Sequence, residues 1–403
     1  MTLGIVYSMP FWRDADGRLR EVEGSFARYV DALAAYFDEI VLCVPVLPEA
    51  SGEGTAIKSA NVRLAPLPYF AGPVQFYPRL PGVMVRIAQF VRGIDLLHCR
   101  VPTPAAVFAF AVARVLGRPA FLLVVGDLRA LLPSMPYRGL KRLLWRAYTA
   151  FEERNVQWMA NHALTFANGA PLTVKHSRRG RPVVQTQTTT IDLAAIGTRE
   201  DTMTGACVRL LVVSRIDPRK GLRVLPQVAA RLVARGVDVT IDIIGPAVGA
   251  PGEAERAAIV AEAAAIGVAD RVRLLGAVAL ERLLPRYADY DVFVLPTLPG
   301  EGVPRVLLEA MAAGVPIVTM RVAGIPSLIV DERNGLLVDE PSADAVAAAV
   351  HRVVLDGGLR RRLIEAGYAT ARAHTLETQA GRMMDEVSQR LGVRLRRPAV
   401  SPA

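Results

Sequence analysis

Short, uninterrupted apolar runs rich in Val, Ile and Leu, alternating with longer stretches of helical periodicity, constrain this chain more than any other feature. The runs fall at residues 3–7, 40–44, 95–99, 121–125, 208–213, 239–244, 272–275, 291–295 and 317–320. Strands apolar along both sides are buried on both faces, and strands that alternate with helices build parallel sheets with helices against each face. The expected class is α/β. Between the fourth run and the fifth, residues 185–205 are polar, carry Thr186, Thr188, Thr189 and Thr190, and place a domain junction there. The expected architecture is two Rossmann-like, doubly wound parallel-sheet domains, 1–195 and 196–376, facing across a cleft. In such sheets ligands bind beyond the carboxyl ends of the strands, so functional residues should follow strands.

A chain of 403 residues with 52% hydrophobic and 21% charged residues is long enough for two or three domains with sizeable cores. Mean hydropathy is high, +0.30. Even so, Pro102, Pro104 and Arg114 break the longest apolar candidate below the roughly 18 residues that a membrane span needs. The N-terminal MTLGIVYSMP lacks a cationic leader and reads as a strand, which predicts no secretory signal. Cys43, Cys99 and Cys207 lie far apart without metal-ligand spacing and are expected to be buried thiols in a reducing compartment.

A formal charge of +10 and a pI of about 9.9 call for an anionic partner: nucleic acid, anionic lipid or a phosphorylated substrate. The sharpest concentration is residues 137–151, YRGLKRLLWRAYTAF, which contain no acidic residue. Arg138, Arg142 and Arg146 align at helical spacing, and Leu140, Leu143, Leu144, Ala147 and Phe151 form an apolar side. Two readings stand: a core-facing helix with a solvated cationic face, or a helix lying on an anionic membrane surface. Residues 175–181 (KHSRRGR) and 394–397 add to the surplus. No zinc-finger spacing or aromatic-interleaved basic motif accompanies these clusters, so no nucleic-acid partner is expected.

Two strand-to-loop segments carry chemistry. After the run at 208–213 comes SRIDPRKG, which places Arg215 and Lys220 on a loop that opens a helix, where backbone donors and cations converge on a diphosphate. It is neither a Walker A loop nor a G-x-G-x-x-G turn, which argues against an ATPase and a nicotinamide enzyme. Further on, EGVPRVLLEAMAAGVPIV sets Glu301 on a turn and Glu309 inside the helix it opens, with Pro304 suited to the first helical position and Gly314 to the stop. Taken alone, both carboxylates and both cations are also compatible with a solvated surface.

Taken together, SRIDPRKGL, LLGAV, DVFVLPT and the Glu301 to Glu309 motif closely resemble the donor-binding half of family 4 glycosyltransferases, retaining enzymes of the GT-B fold, over roughly residues 205–345. The resemblance implies a nucleoside-diphosphate sugar as donor substrate, no metal ion and no other cofactor. It implies that Arg215 and Lys220 hold the diphosphate, Glu309 accepts the ribose hydroxyls and Glu301 meets the transferred sugar. The turn at Gly302, Val303, Pro304, Arg305 and Val306 would add donors near the sugar and distal phosphate, and Gly276 and Val278 would lie by the base. It also implies that the last helix, 377–392, crosses back to the first domain, leaving 393–403 as a basic flexible tail.

The first half matches the family less well. Gly24 and Ser25, after the long loop SMPFWRDADGRLREVEGSF, occupy the place of the family's glycine-rich turn, although the usual glycine pair is not intact. Asp127, in LLVVGDLRALLP, ends a strand where many members keep a catalytic His, and with Arg100 it resembles bacterial exopolysaccharide and capsule enzymes. Asp127 either orients the sugar or the acceptor hydroxyl, or caps the next helix. His98 reads as a core histidine.

The implied function is a retaining, metal-independent glycosyltransferase that moves a hexose from a UDP- or GDP-sugar to a hydroxyl of a polysaccharide or lipid-linked oligosaccharide. Its catalytic residues would be Asp127, Arg215, Lys220 and Glu301, with Arg100 and Asp127 on the acceptor side. The alternatives are a GT-B nucleotide-sugar epimerase, a glycogen-synthase-like polymerase, or a non-catalytic membrane-surface scaffold with the same fold. The expected location is cytoplasmic, and on the membrane-surface reading of residues 138–151 it is peripheral on the inner face of the plasma membrane.

Overall fold

The computed structural model describes residues 1–21, 24–48, 54–70, 72–130, 132, 137–298 and 303–398. The chain divides into two compact units, one comprising Met1–Thr188 with Leu376–Ala403, the other Thr189–Thr375. Residues 189–195 therefore go with the second unit, not the first. The cause is local: Ile191 is fully buried in the second unit's core and Thr190 hydrogen-bonds Glu309.

The first unit holds strands β1 (Thr2–Val6), β2 (Phe11–Arg13), β3 (Leu19–Glu21), β4 (Glu39–Val46), β5 (Thr55–Ala56), β6 (Val62–Pro68), β7 (Leu96–Val101), β8 (Ala120–Val124), β9 (Leu164–Asn168) and β10 (Val184–Thr186). They form one sheet in the order β10-β9-β8-β7-β1-β4-β2-β3-β5, with β6 also on β4. From β10 across to β4 and β6 the pairings are parallel. Apolar side chains alternate between the faces: Ile40, Leu42 and Val44 enter one core while Val41 and Cys43 enter the other. Burial on both faces is why these strands read as continuous apolar runs.

The segment expected as a long loop instead contains the β2–β3 hairpin. Phe11 and Trp12 are buried, and Asp14 closes the turn by accepting from the amides of Asp16 and Arg18. The helix Leu376–Leu391 packs Ala380, Met383, Met384 and Val387 into the same core as the helix Ser25–Ala34. The expected flexible tail is tied down at its start, since Val393 and Leu395 pack on that core and Arg396 donates its amide to Tyr36. Residues 399–403 lie outside the described residues.

The second unit is a parallel six-stranded sheet ordered β13-β12-β11-β14-β15-β16. Its strands are β11 (Val208–Val213), β12 (Val239–Ile244), β13 (Val272–Gly276), β14 (Val292–Leu295), β15 (Ile317–Met320) and β16 (Leu336–Val338). Leu210 and Val212 face one core, Leu211 and Val213 the other, and Val292, Phe293, Val294 and Leu295 alternate likewise. From β11 the chain proceeds outward through β12 and β13, then returns to the other side of β11 as β14. The β11/β14 boundary is thus the switch point, where the loops leaving the two strands diverge to opposite faces and open a crevice. Cys43 and Cys99 are buried thiols as expected, whereas Cys207 is half-buried.

Candidate functional site

Arg215 and Lys220 sit on the loop that leaves β11, beside the switch point. Asp217 organises this loop. Its Oδ1 accepts from the Arg219 amide at 2.9 Å, capping the single turn Pro218–Lys220, and its carboxylate pairs with the Arg219 guanidinium at 2.8 Å. The Arg219 hydrogen bonds, against the opposing effect of burial, pull the Asp217 carboxyl down to about 2, aided by the charge of Arg215. Arg219 and Arg223 are paired with Asp217 and Glu255, while Arg215 is exposed and Lys220 is buried at 8% exposure. Gly221 turns the chain with φ of 64°, and a Cβ there would stand 2.2 Å from the carbonyl oxygen of Pro296 on the loop leaving β14. Leu298 donates its amide to the Arg219 carbonyl at 2.8 Å, so the two loops of the switch point are bonded to each other.

The loop after β14 leads to the helix Arg305–Ala312. Pro304 occupies the N-cap with extended ψ of 129°, one position before the expected start, and no side chain caps the turn. Pro304 offers no side-chain acceptor, so among the described residues the first-turn amides have no capping side chain, at the positive end of the helix dipole. Gly314 ends the helix in the left-handed region, as its sequence position predicts. Val303 is buried in the core and Val306 packs against it. Glu301 and Gly302 lie outside the described residues.

Glu309, 5% exposed, sits a turn inside the helix. Its Oε1 accepts from Thr190 Oγ1 at 2.5 Å and its Oε2 from the Tyr287 hydroxyl at 2.6 Å. Tyr287 is fully buried, and burial first, then the neighbouring Glu309 charge, push its hydroxyl far above the usual tyrosine range. It is a donor at any working pH. Glu309 was legible in the sequence; Thr190 and Tyr287 were not, because they approach from 119 and 22 residues away and nothing local marks them. Gly276 ends β13 with φ of 71° and accepts from the Gly245 amide, and Val278 packs on the same core as Val303 and Val306. The second unit thus gathers Arg215, Lys220, Gly276, Val278, Val303, Pro304, Arg305, Val306 and Glu309 on loops and a helix that follow strands.

In the first unit, Gly24 is the left-handed N-cap of the helix Ser25–Ala34. The amides of Phe26 and Ala27 are already taken by the buried Glu21 carboxylate, at 2.9 and 2.7 Å, which removes them as donors to an anion. Arg100, 7% exposed, lies 4.7 to 4.9 Å from the ring centres of Tyr7, Phe26 and Tyr29, and its Nε has no hydrogen-bond partner among the described residues. His98 is a core residue: it stacks on Phe121 and contacts the Tyr29 hydroxyl at 2.9 Å, and burial with the Arg100 charge draws its pKa down to about 3.

Asp127 follows β8. Its Oδ1 accepts from the amides of Arg129 and Ala130, and its Oδ2 pairs with Lys175 Nζ at 2.7 Å, which also pairs with Glu153 at 2.6 Å. Burial raises the carboxyl, but Lys175 and the two amides outweigh it and hold Asp127 below the usual range. Such a carboxylate accepts hydrogen bonds better than protons.

Residues 208–370 match the family of glycosyl transferases group 1. Among curated relatives, the chain is 31% identical over 163 residues to a putative colanic acid biosynthesis glycosyltransferase, WcaL, of Salmonella typhimurium, covering 39% of each chain. It is 32% identical over 153 residues to the GDP-mannose-dependent alpha-(1-6)-phosphatidylinositol monomannoside mannosyltransferase of Mycolicibacterium smegmatis, covering 36% of this chain and 38% of that one. The matched part thus spans about two fifths of these relatives' length. Among solved structures, Anabaena Alr3699/HepE in complex with UDP aligns over 96% of this chain and 100% of its own, with a TM-score of 0.70 at 17% identity.

A parallel α/β fold in two units that superposes on glycosyltransferases over nearly the whole chain is the GT-B fold. The likeness to the glycosyl transferases group 1 family lies in residues 208–370.

Proposed function

We propose that this chain is a retaining, metal-independent glycosyltransferase that moves a hexose from a UDP- or GDP-sugar to a hydroxyl of a polysaccharide or lipid-linked oligosaccharide. The observation that carries the reading is the arrangement at the β11/β14 switch point: a cation-bearing loop, a helix N-terminus with proline at its N-cap and a buried carboxylate one turn in. Glu309 accepts the ribose hydroxyls, Lys220 and Arg215 bind the diphosphate, and the amides at the start of the helix Arg305–Ala312 meet the distal phosphate. The base lies along Gly276 and Val278, and Glu301 reads the sugar. As the bond from C1 to the phosphate oxygen breaks, fixed cations and amides stabilise the charge that develops on the leaving diphosphate. The acceptor oxygen bonds to C1 on the same face, and its proton passes to the departing phosphate oxygen. Asp127, paired with Lys175, orients the acceptor without taking its proton, and Arg100 is assigned to the acceptor with it. The assay is transfer from a panel of UDP- and GDP-sugars with and without EDTA, with the product anomer read by NMR. Retained configuration and full activity in EDTA are expected; inversion or a strict metal requirement would overturn the mechanism.

The acceptor half is proposed to work at an anionic membrane surface. In the helix Gly139–Ala160 the apolar side chains expected to face either a core or a membrane are exposed: Leu140 by 71%, Leu143 and Leu144 by 60%, Phe151 by 48%. The buried residues are Thr149, Glu152, Val156, Met159 and Ala160, so the helix is anchored by its second half. Arg138, Lys141, Arg142 and Arg146 flank the exposed leucines, the composition of an interfacial helix. Among the described residues no helix is long and apolar enough to cross a membrane. Sedimentation with phosphatidylglycerol vesicles at low salt is expected to carry the protein down, and Leu143→Ser with Leu144→Ser to leave it in solution; wild-type protein that ignores such vesicles would sink the membrane proposal.

A further inference from the structure

We infer that Thr190 and Tyr287 are positioning residues that set the Glu309 carboxylate for the ribose of the donor, and so determine the preference for ribonucleotides over 2′-deoxyribonucleotides. The inference rests on the reading of Glu309 as the ribose ligand. A carboxylate offers two oxygens with about four acceptor directions in all. Thr190 takes one direction on Oε1 and Tyr287 one on Oε2, at 2.5 and 2.6 Å. Among the described residues each oxygen keeps a second direction, which suits a vicinal diol bonded one hydroxyl to each oxygen. Without its two donors the group would turn about the terminal side-chain torsion of Glu, which has a broad energy profile.

The donors themselves are held rigidly. Tyr287 is fully buried, with its ring 5.9 Å from that of Phe293 on β14. Thr190 is flanked by Ile191, buried in the same core, whose amide donates to Thr189 Oγ1 at 3.3 Å. Two neutral hydroxyls from separate elements thus approach the carboxylate, one on each oxygen. Their removal should loosen the rotamer that meets the substrate while leaving the carboxyl group itself in place.

The test uses the full chain and calorimetric binding of UDP, GDP and their 2′-deoxy forms. For wild type, the ribonucleotide that binds is expected to be favoured over its 2′-deoxy form by on the order of tenfold, the scale of one hydrogen bond to a charged group. Glu309→Gln should abolish that preference. Tyr287→Phe, which deletes only the hydroxyl, and Thr190→Val should weaken ribonucleotide binding by about five- to tenfold while leaving the 2′-deoxy affinity nearly unchanged. Thr190→Ser, which restores the hydroxyl, should recover the preference. The outcomes separate the two claims. If Glu309→Gln leaves the preference intact, or neither nucleotide binds wild type, the reading of Glu309 fails. If Glu309→Gln abolishes it but folded Tyr287→Phe and Thr190→Val keep it, or lose both affinities equally, the positioning role is overturned.

Discussion

Gly221→Ala tests the link between backbone geometry and the phosphate loop. Gly221 has φ of 64°, a conformation that costs an L-residue about 1–2 kcal/mol. The added Cβ would lie 2.2 Å from the Pro296 carbonyl oxygen, so one loop must move by roughly 1 Å to reach ordinary contact. That movement strains the Leu298 amide bond to the Arg219 carbonyl, 2.8 Å long, which is worth about 1 kcal/mol. The sum is about 2–3 kcal/mol, which lowers the melting temperature of a unit of this size by about 4–12 °C. Gly236→Ala is the control: its φ is 79°, but no atom lies within 4 Å of the new Cβ, so it feels the conformational cost alone. By calorimetry the Gly221 variant should melt well below the Gly236 variant, and it alone should lose donor binding, by more than about tenfold, because Lys220 is its neighbour. Equal melting temperatures for the two variants, with donor binding intact in both, would refute the reasoning.

Two further outcomes follow from the electrostatics. Asp201 bonds Arg360 at 2.7 and 3.1 Å, and that hydrogen bond, opposed by burial, lowers its carboxyl from 3.8 to about 2. A depressed carboxyl stabilises the fold above its unfolded value and loses that contribution as pH falls from about 4 toward 2. Asp201→Asn should therefore lower the urea midpoint at pH 7 by about 1 kcal/mol equivalent, allowing for solvent screening, with the gap to wild type narrowing below pH 4; a gap that does not change with pH would contradict the assignment. Asp127→Asn should slow transfer without changing the shape of the pH profile of kcat/KM, since Asp127 is held as an anion by Lys175; loss of an acid limb would mark it as the base.

What the sequence revealed depended on where the information lies along the chain. Strands β11, β12 and β14 were plain because their residues alternate between two buried cores, leaving no polar position to break the run. Strand β6, VRLAPLP, was hidden by Pro66 and Pro68, which are tolerated because it pairs only with β4. The β2–β3 hairpin was hidden by polar residues around buried Phe11 and Trp12. At the site, Arg215, Lys220 and Glu309 follow strands and belong to contiguous motifs, so spacing reached them. Thr190 and Tyr287 are joined to Glu309 only by folding, as Lys175 is to Asp127. The amphipathic pattern of residues 138–151 was visible, but only burial could separate a core-facing helix from an exposed one.

The most direct test of the donor site is paired binding and turnover of Lys220→Ala and Glu309→Ala against wild type, with the nucleotide sugar that supports transfer. Both variants should keep the wild-type circular dichroism and lose at least about a hundredfold in kcat/KM, the scale of removing a charge-assisted contact to the leaving group. Folded variants that transfer sugar at the wild-type rate would contradict the account.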